Sequence, residues 1–149
     1  TYAFANMGRF TDQLRPVFRS QTKNGPGPTD FTPWHEWNLQ SKGNLWAGKI
    51  AVLTDRFTIS AGERAAMAFR ALPQVIMVGD TTNGATSTMI GRELANGWHY
   101  SIPTQKVRMF DGQNYEGTGI APDVRIVNTM SELRGGKDAV LERARELVE

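Results

Sequence analysis

Ser60 lies at the point in the sequence where residue types and spacing are most suggestive of chemistry. It follows a short apolar run, residues 49–54, and begins an Ala-rich segment, residues 60–72, that is typical of a helix. A serine in such a strand-to-helix turn has its hydroxyl at the positive end of the helix, beside the outward-facing N–H of Ala61. One interpretation is therefore a nucleophilic Ser60, with Ala61 as the oxyanion-hole donor.

Ser60 and Glu63 also fit a purely structural role. Their spacing, S-x-x-E, is that of a capping box, in which the two side chains satisfy free N–H groups at the start of a helix. Helix capping is far commoner than catalysis, so the local pattern by itself favours the cap. The choice between the two roles depends on the rest of the sequence.

The elements around Ser60 determine where its side chain can point. The apolar run before it and a second run, residues 75–79, have the composition of buried strands, and the segment between them is helical in pattern. Residues 49–79 are thus predicted to form a strand–helix–strand unit with two parallel strands and a right-handed crossover. Three further elements are predicted: a small-residue loop at 79–88, a hairpin around Asn96-Gly97 and a helix at 138–148.

The first third of the chain is predicted to be less regular. Apolar residues spaced three and four apart indicate a helix over residues 3–19, which Pro16 should kink or end. Residues 21–44 are rich in Gly, Pro and Trp, and are predicted to form a long loop whose aromatic side chains pack on the body of the protein. We therefore divide the chain into an N-terminal helix and loop, residues 1–47, and a core, residues 48–149.

The composition excludes several kinds of site. The chain of 149 residues has no cysteine, which excludes disulfides, thiolate zinc sites and a cysteine nucleophile. Its 17 basic and 15 acidic residues give a formal net charge of +2, and the basic residues are scattered, so we expect no nucleic-acid partner. No apolar run is long enough to cross a membrane. No spacing suggests a zinc, calcium or phosphate-loop site, so no metal or cofactor is expected.

Three segments, taken in order, carry a family resemblance: AVLTDRFTISAGE, VIMVGDTTNGATS and YEGTGIAPDVRI. The first resembles the strand and nucleophile turn of the tail-specific (C-terminal-processing) serine peptidases and their tricorn-core relatives. The second resembles the strand and loop that follow the nucleophile helix in that family, and the third a segment near the end of its catalytic core. The resemblance spans residues 48–127. It implies an α/β fold like the Clp-protease and crotonase spiral of ββα units, with this chain as the C-terminal part of the core.

The resemblance also implies an activity and a set of site residues. It implies hydrolysis of peptide bonds through an acyl-enzyme, with Ser60 as the nucleophile. Many members pair this serine with a lysine, but the corresponding position is Ala85. The tricorn-like branch instead uses Ser, His and Glu, and the matching motif gives the glutamate role to Glu116. Gly84, Ala85 and Thr86 are then expected to line an extended peptide that pairs with a nearby strand edge.

The general base is not identified in this sequence. In the tricorn-like branch the histidine, and a glycine turn that gives a second oxyanion donor, come from upstream of the nucleophile's strand. The two histidines present, His35 and His99, lie outside the motifs, so we expect packing or surface roles for them. The missing upstream part of the same protein is therefore an expected partner. The 149 residues alone are expected to show no appreciable peptidase activity.

Two other classes of function remain open. Relatives of this fold bind ligands or peptides without catalysis, and the absent lysine is compatible with such a non-catalytic module. The other class is a structural domain in which Ser60 and Glu63 only cap a helix. The resemblance implies peptide or unfolded-protein substrates and favours a bacterial periplasmic or extracytoplasmic setting. Substrate sequence, further domains such as PDZ and oligomeric state are left open.

Overall fold

Short helices and three separate sheets make up residues 2–149, which are described by a computed structural model. The helices are α1 (Tyr2–Met7), α2 (Ala61–Arg70), α3 (Met130–Arg134) and α4 (Ala139–Val148), with a 3-10 turn at Gly8–Phe10. The strands are β1 (Arg15–Thr22), β2 (His35–Leu39), β3 (Ile50–Thr54), β4 (Val75–Gly79), β5 (Met89–Glu93), β6 (His99–Pro103), β7 (Gln105–Met109) and β8 (Val124–Arg125). They form the sheets β2-β1-β7 and β3-β4-β8 and the hairpin β5-β6.

The strand–helix–strand unit predicted around Ser60 is confirmed. β3 and β4 are parallel neighbours, with Ile50 opposite Val75 and Thr54 opposite Gly79, and α2 lies between them in the chain. β8 pairs with the other side of β4, also in parallel. Parallel strands end at the same edge of a sheet, and side chains that follow them meet there. The start of α2 and the loop after β4 therefore lie at one edge.

The N-terminal segment is not the single helix that its apolar spacing predicts. The 3-10 turn ends at Phe10. Residues 15–22 form the strand β1, which pairs with both β2 and β7, so the prediction that the helix continues to residue 19 is wrong. The register between β1 and β2 shifts between Pro16 and Phe18, and the adjacent Val17 and Phe18 are both buried. This bulge interrupts the alternation of a regular strand and produces apolar spacings that resemble those of a helix.

The predicted loop at residues 21–44 contains regular structure as well. β2 lies within it, antiparallel to β1, and Trp37 of β2 stacks on Phe18 with ring centroids 5.6 Å apart. The expected packing of aromatic side chains on the body is thus confirmed for Trp37. Trp34 stays at the surface, where the Arg19 guanidinium lies 4.7 Å from its ring centroid.

The later elements follow the prediction more closely. The hairpin turns through Asn96-Gly97, with Glu93 paired to His99. α4 confirms the terminal helix, and the Asp138 carboxylate caps it by accepting from the Leu141 N–H at 2.9 Å. α3 was not predicted, because its five residues are too few for a periodic signal.

α2 is central to the core and contacts both larger sheets. Ala66, Met67 and Ala68 on this helix are buried, and α2 packs on β1 as well as on β3 and β4. α1 also packs against α2, while α4 covers β3 and β4. The apolar surface buried on several sides fixes the position of the helix, and therefore of the serine that immediately precedes it.

Candidate active site

Ser60 is presented by a strained turn between β3 and α2. After β3 the Asp55 carboxylate accepts hydrogen bonds from the N–H groups of Phe57 and Thr58, each at 2.9 Å. Ser60 then has φ 55° and ψ −109°, and a positive φ is uncommon for a residue other than glycine. The residue is exposed. Backbone strain at an exposed serine just before a helix is typical of a presented nucleophile.

Ser60 and Glu63 form a capping box at the start of α2. The Glu63 carboxylate accepts from the Ser60 N–H at 3.3 Å, as in a capping box. The Ser60 hydroxyl faces the N–H of Glu63 in the corresponding way but makes no side-chain cap hydrogen bond. The hydroxyl thus lies at the positive end of α2 in a capping-box arrangement, and it is also exposed to an incoming group.

Glu63 is fully buried and holds the loop after β4 against the serine turn. Its Oε1 accepts from the Thr82 hydroxyl at 2.7 Å and from the Gly84 N–H at 2.6 Å. Its Oε2 accepts from the Ala85 N–H at 2.8 Å and from the Ser60 N–H. Burial of a carboxylate is costly unless its oxygens are hydrogen-bonded, and here both are. The S-x-x-E spacing predicted only the cap, and it carries no signal for these contacts with the loop.

Ala85 lies next to the candidate nucleophile. Its backbone carbonyl accepts from the Ser60 N–H at 3.2 Å. This is the position that the resemblance matched to a lysine in the Ser–Lys peptidases. Position 85 thus lies beside Ser60 in this structure, and its side chain is a methyl group instead of the lysine of the Ser–Lys peptidases.

Glu116 reaches the same loop from the segment that follows β7. Its Oε2 accepts from the Thr86 N–H at 2.9 Å, the Thr86 hydroxyl at 2.6 Å and the Ser87 N–H at 3.0 Å. Within residues 2–149, no donor is hydrogen-bonded to Oε1, and Glu116 is exposed. Ser60 and Glu116 are therefore joined through the consecutive residues Ala85 and Thr86, and one carboxylate oxygen is left to accept from another group.

The backbone of residues 84–86 is used inside the chain. The N–H groups of all three residues donate to Glu63 or Glu116. The carbonyl of Gly84 accepts from Gly117, that of Ala85 from Ser60, and that of Thr86 from Arg64. Gly84 and Thr86 are also buried. These contacts position the two glutamates relative to Ser60, and the lining of an extended peptide by residues 84–86, with the peptide paired to a nearby strand edge, stays a prediction.

Arg64 lies one helical turn after the serine and also contacts this loop. Its guanidinium donates to the Thr86 carbonyl at 3.1 Å, the Thr88 hydroxyl at 3.3 Å and the Gln105 side-chain carbonyl at 2.7 Å. Burial lowers the pKa of Arg64, and the negative charge of Glu116 opposes that shift. Arg64 thus ties α2 to the loop and to β7, a role that the sequence did not suggest.

A pocket of about 150 Å³ opens beside Ser60 and Ala61. Its other walls are the side chains of Phe4, Phe18, Trp37, Arg64 and Thr88. The Ala61 N–H begins α2, and no acceptor is hydrogen-bonded to it in the described part of the chain. Neither His35 nor His99 lines this pocket. A larger pocket of about 360 Å³, between β1, β2 and the Asp111-Gly112 turn, contains no candidate site residue.

Two further features are absent from the described part of the chain, a metal site and a membrane-spanning helix. Among residues 2–149, no group of three or more His, Asp or Glu side chains is placed to hold a metal ion. No helix in this part of the chain combines the length and apolar character needed to cross a bilayer.

Comparison with known families decides the family of this chain. Residues 2–126 match the sequence profile of peptidase family S41. The chain belongs to this family. The resemblance of the three motifs to tail-specific and tricorn-core peptidases is thereby confirmed.

Solved structures of other proteins share the fold of this S41 chain. A candidate peptidase from Parabacteroides merdae is 30% identical, with a TM-score of 0.87, and the match covers 99% of this chain and 47% of the other. The photosystem II D1 C-terminal processing protease is 18% identical, with a TM-score of 0.60 and coverage of 84% and 30%. The tricorn protease is 20% identical, with a TM-score of 0.65 and coverage of 99% and 14%. The chain thus spans less than half the length of each of these proteins.

These comparisons confirm the predicted α/β fold and the assignment to the C-terminal part of an S41 core. The individual site residues stay predictions. The structure brings the predicted residues into one group: Ser60, Ala61, Gly84, Ala85, Thr86 and Glu116. Sequence reasoning missed Glu63 as the anchor of the loop, Arg64, and the aromatic walls of the pocket.

Proposed function

We propose that this chain carries the nucleophile of a serine-type endopeptidase, and that the general base comes from outside these 149 residues. Membership of family S41 supports peptide bonds as the substrate. The observation that carries the proposal is the arrangement at the start of α2. There, an exposed Ser60 with a positive φ lines a pocket and is joined through two residues to Glu116.

In the proposed reaction the Ser60 Oγ attacks the carbonyl carbon of a peptide bond while a histidine takes the hydroxyl proton. Negative charge develops on the carbonyl oxygen, and the Ala61 N–H, at the positive end of α2, donates to it. The histidine then passes the proton to the leaving amine as the C–N bond breaks, which leaves an acyl group on Ser60. Water, activated by the same base, hydrolyses this ester and restores the hydroxyl.

Glu116 has the geometry to support that histidine. Its Oε2 is held by Thr86 and Ser87, so the carboxylate cannot easily rotate, while Oε1 faces no donor of the described residues. A carboxylate that accepts from the second ring N–H of a histidine fixes the tautomer and stabilises the imidazolium formed during attack. Glu116 is therefore proposed as the third member of a Ser–His–Glu set.

The first test is Ser60→Ala in the full-length protein. We expect hydrolysis of an unfolded protein substrate to fall to background and labelling by a fluorophosphonate to disappear. We also expect the free energy of unfolding to fall by no more than about 1 kcal/mol, the cost of losing the capping box. Unchanged turnover would reject the proposal. A wild-type protein that binds peptides but is neither labelled nor active would indicate the non-catalytic module, and a loss of about 1 kcal/mol alone would indicate a cap.

The second test is Glu116→Gln. The glutamine oxygen can replace Oε2 toward Thr86 and Ser87, but its amide nitrogen then occupies the place of Oε1 and cannot accept from a histidine. We expect kcat to fall by about 100-fold or more with little change in KM or thermal stability. Equal losses of stability and activity would assign Glu116 to the loop alone.

A further inference from the structure

The pocket beside Ser60 is built by side chains that the proposed mechanism does not use. We propose that it receives the side chain of the acyl-side residue, the residue whose carbonyl Ser60 attacks, and that it selects an apolar side chain of the size of Leu, Met or Phe. This inference rests on the proposed function. Ser60 and Ala61 form one wall, so the group bonded to the attacked carbonyl carbon lies at the pocket's mouth.

Three aromatic rings form the apolar part of the pocket. Phe4 meets Phe18 edge to face with centroids 5.8 Å apart, and Trp37 lies 5.6 Å from Phe18 and 6.3 Å from Phe4. The Trp37 indole N–H donates to the Ser20 hydroxyl at 3.0 Å, so its polar atom is already satisfied. Because α1, β1 and β2 each contribute one ring, the walls are held by the tertiary structure. They offer carbon surface, which binds apolar side chains.

The charged group in the pocket does not provide a site for a charged side chain. The Arg64 guanidinium already donates to three acceptors and lies over the Phe18 ring, 5.6 Å from its centroid. Glu116 adds a compensating negative charge nearby. Among the residues that the structure describes, no carboxylate lines the pocket, so an incoming Lys or Arg would lose its hydration without gaining a partner and would meet the positive Arg64.

The volume of the pocket indicates the size of side chain that it accommodates. The pocket measures about 150 Å³, and an apolar cavity of about 150 Å³ holds one benzene molecule. A phenyl ring or a branched aliphatic side chain fits this space, whereas alanine leaves most of it empty. Because each methylene group removed from water adds to binding, a side chain that fills the pocket should be favoured strongly over alanine.

The experiment measures kcat/KM of the full-length protein on peptide substrates with one constant leaving group that differ only at the acyl-side residue. We expect Leu, Met and Phe to exceed Ala by about tenfold or more, with Lys and Glu no better than Ala. A preference for Lys, Arg, Asp or Glu, or no preference at all, would overturn the inference while leaving the peptidase proposal intact. A protein with no cleavage and no fluorophosphonate labelling would overturn both.

Thr88→Phe tests whether the residues that line the pocket determine the size of the side chain that it accepts. Thr88 is exposed at the rim, and a ring there would fill the pocket from outside. We expect kcat/KM for the Leu substrate to fall by about tenfold more than that for the Ala substrate. Thr29→Phe, at an exposed loop position away from the pocket, is the matched control and should change neither. Equal losses on both substrates with Thr88→Phe would contradict the assignment, and the substrate series on the wild type tests it independently of either variant.

Discussion

The side chains of Glu63 and Glu116 hold the same short loop but differ in what their second oxygen does. Glu63 is fully buried, and both of its oxygens accept from donors of the protein. Glu116 is exposed, and only its Oε2 accepts from the loop. A carboxylate with both oxygens engaged is a structural anchor, whereas one with a free oxygen can still support another group. This difference distinguishes Glu63, which positions the loop, from Glu116, which is proposed to take part in the reaction.

Glu63→Gln is expected to destabilise the fold. A glutamine presents one acceptor oxygen and one NH₂ group, yet four donors converge on the carboxylate, so two of them would face another donor. A buried unsatisfied polar group costs about 1–3 kcal/mol, so the free energy of unfolding should fall by about 2 kcal/mol or more in urea titrations. Glu142→Gln, on the exposed face of α4, should change it by less than about 0.5 kcal/mol. Similar values for the two variants would show that the loop does not depend on Glu63.

Among the secondary-structure elements, those with local signals could be predicted from sequence. β3, α2 and β4 follow each other closely, each has a clear apolar pattern, and the handedness of the crossover leaves one arrangement. β1 could not be predicted, because its bulge buries Val17 and Phe18 together and imitates a helical spacing. Its partners β2 and β7 are also distant in sequence, and periodicity carries no information on such pairing.

The same limit applies to the elements that build the candidate site. The turn at Ser60 has a recognisable local pattern, and its neighbours in the motifs pointed to Glu116. The pocket walls had no such pattern, because Phe4, Phe18 and Trp37 meet only when α1, β1 and β2 pack together. The role of Glu63 was hidden because its partners are 19 to 22 residues further along the chain. A residue can thus be recognised from its local pattern while its partners are set by the tertiary fold.

For the whole molecule, the central property is that the described residues hold the proposed nucleophile, one proposed oxyanion donor and one proposed supporting carboxylate, with no histidine in the pocket beside them. His35 contacts Trp37 by its ring edge and His99 lies on the β5-β6 hairpin, and neither lines the pocket at Ser60. The chain also spans less than half of the solved structures that it resembles. Both facts are consistent with a base supplied by another part of the full-length protein. In that case, peptidase activity requires the full-length protein.

Ala85→Lys, made in the 149 residues alone, tests whether a base is what these residues lack. The Ala85 carbonyl accepts from the Ser60 N–H, so a lysine there stands beside the serine, and its neutral amine can act as a base. We expect fluorophosphonate labelling of Ser60 to be at least about tenfold faster than in the wild-type fragment, and to rise with pH as the amine loses its proton. Asn83→Lys, at an exposed position of the same loop, controls for the added charge and should stay at the wild-type rate. Rapid labelling of the wild-type fragment would show that these residues already contain a base, and equal rates for the two lysine variants would show that position 85 has no special access to the hydroxyl.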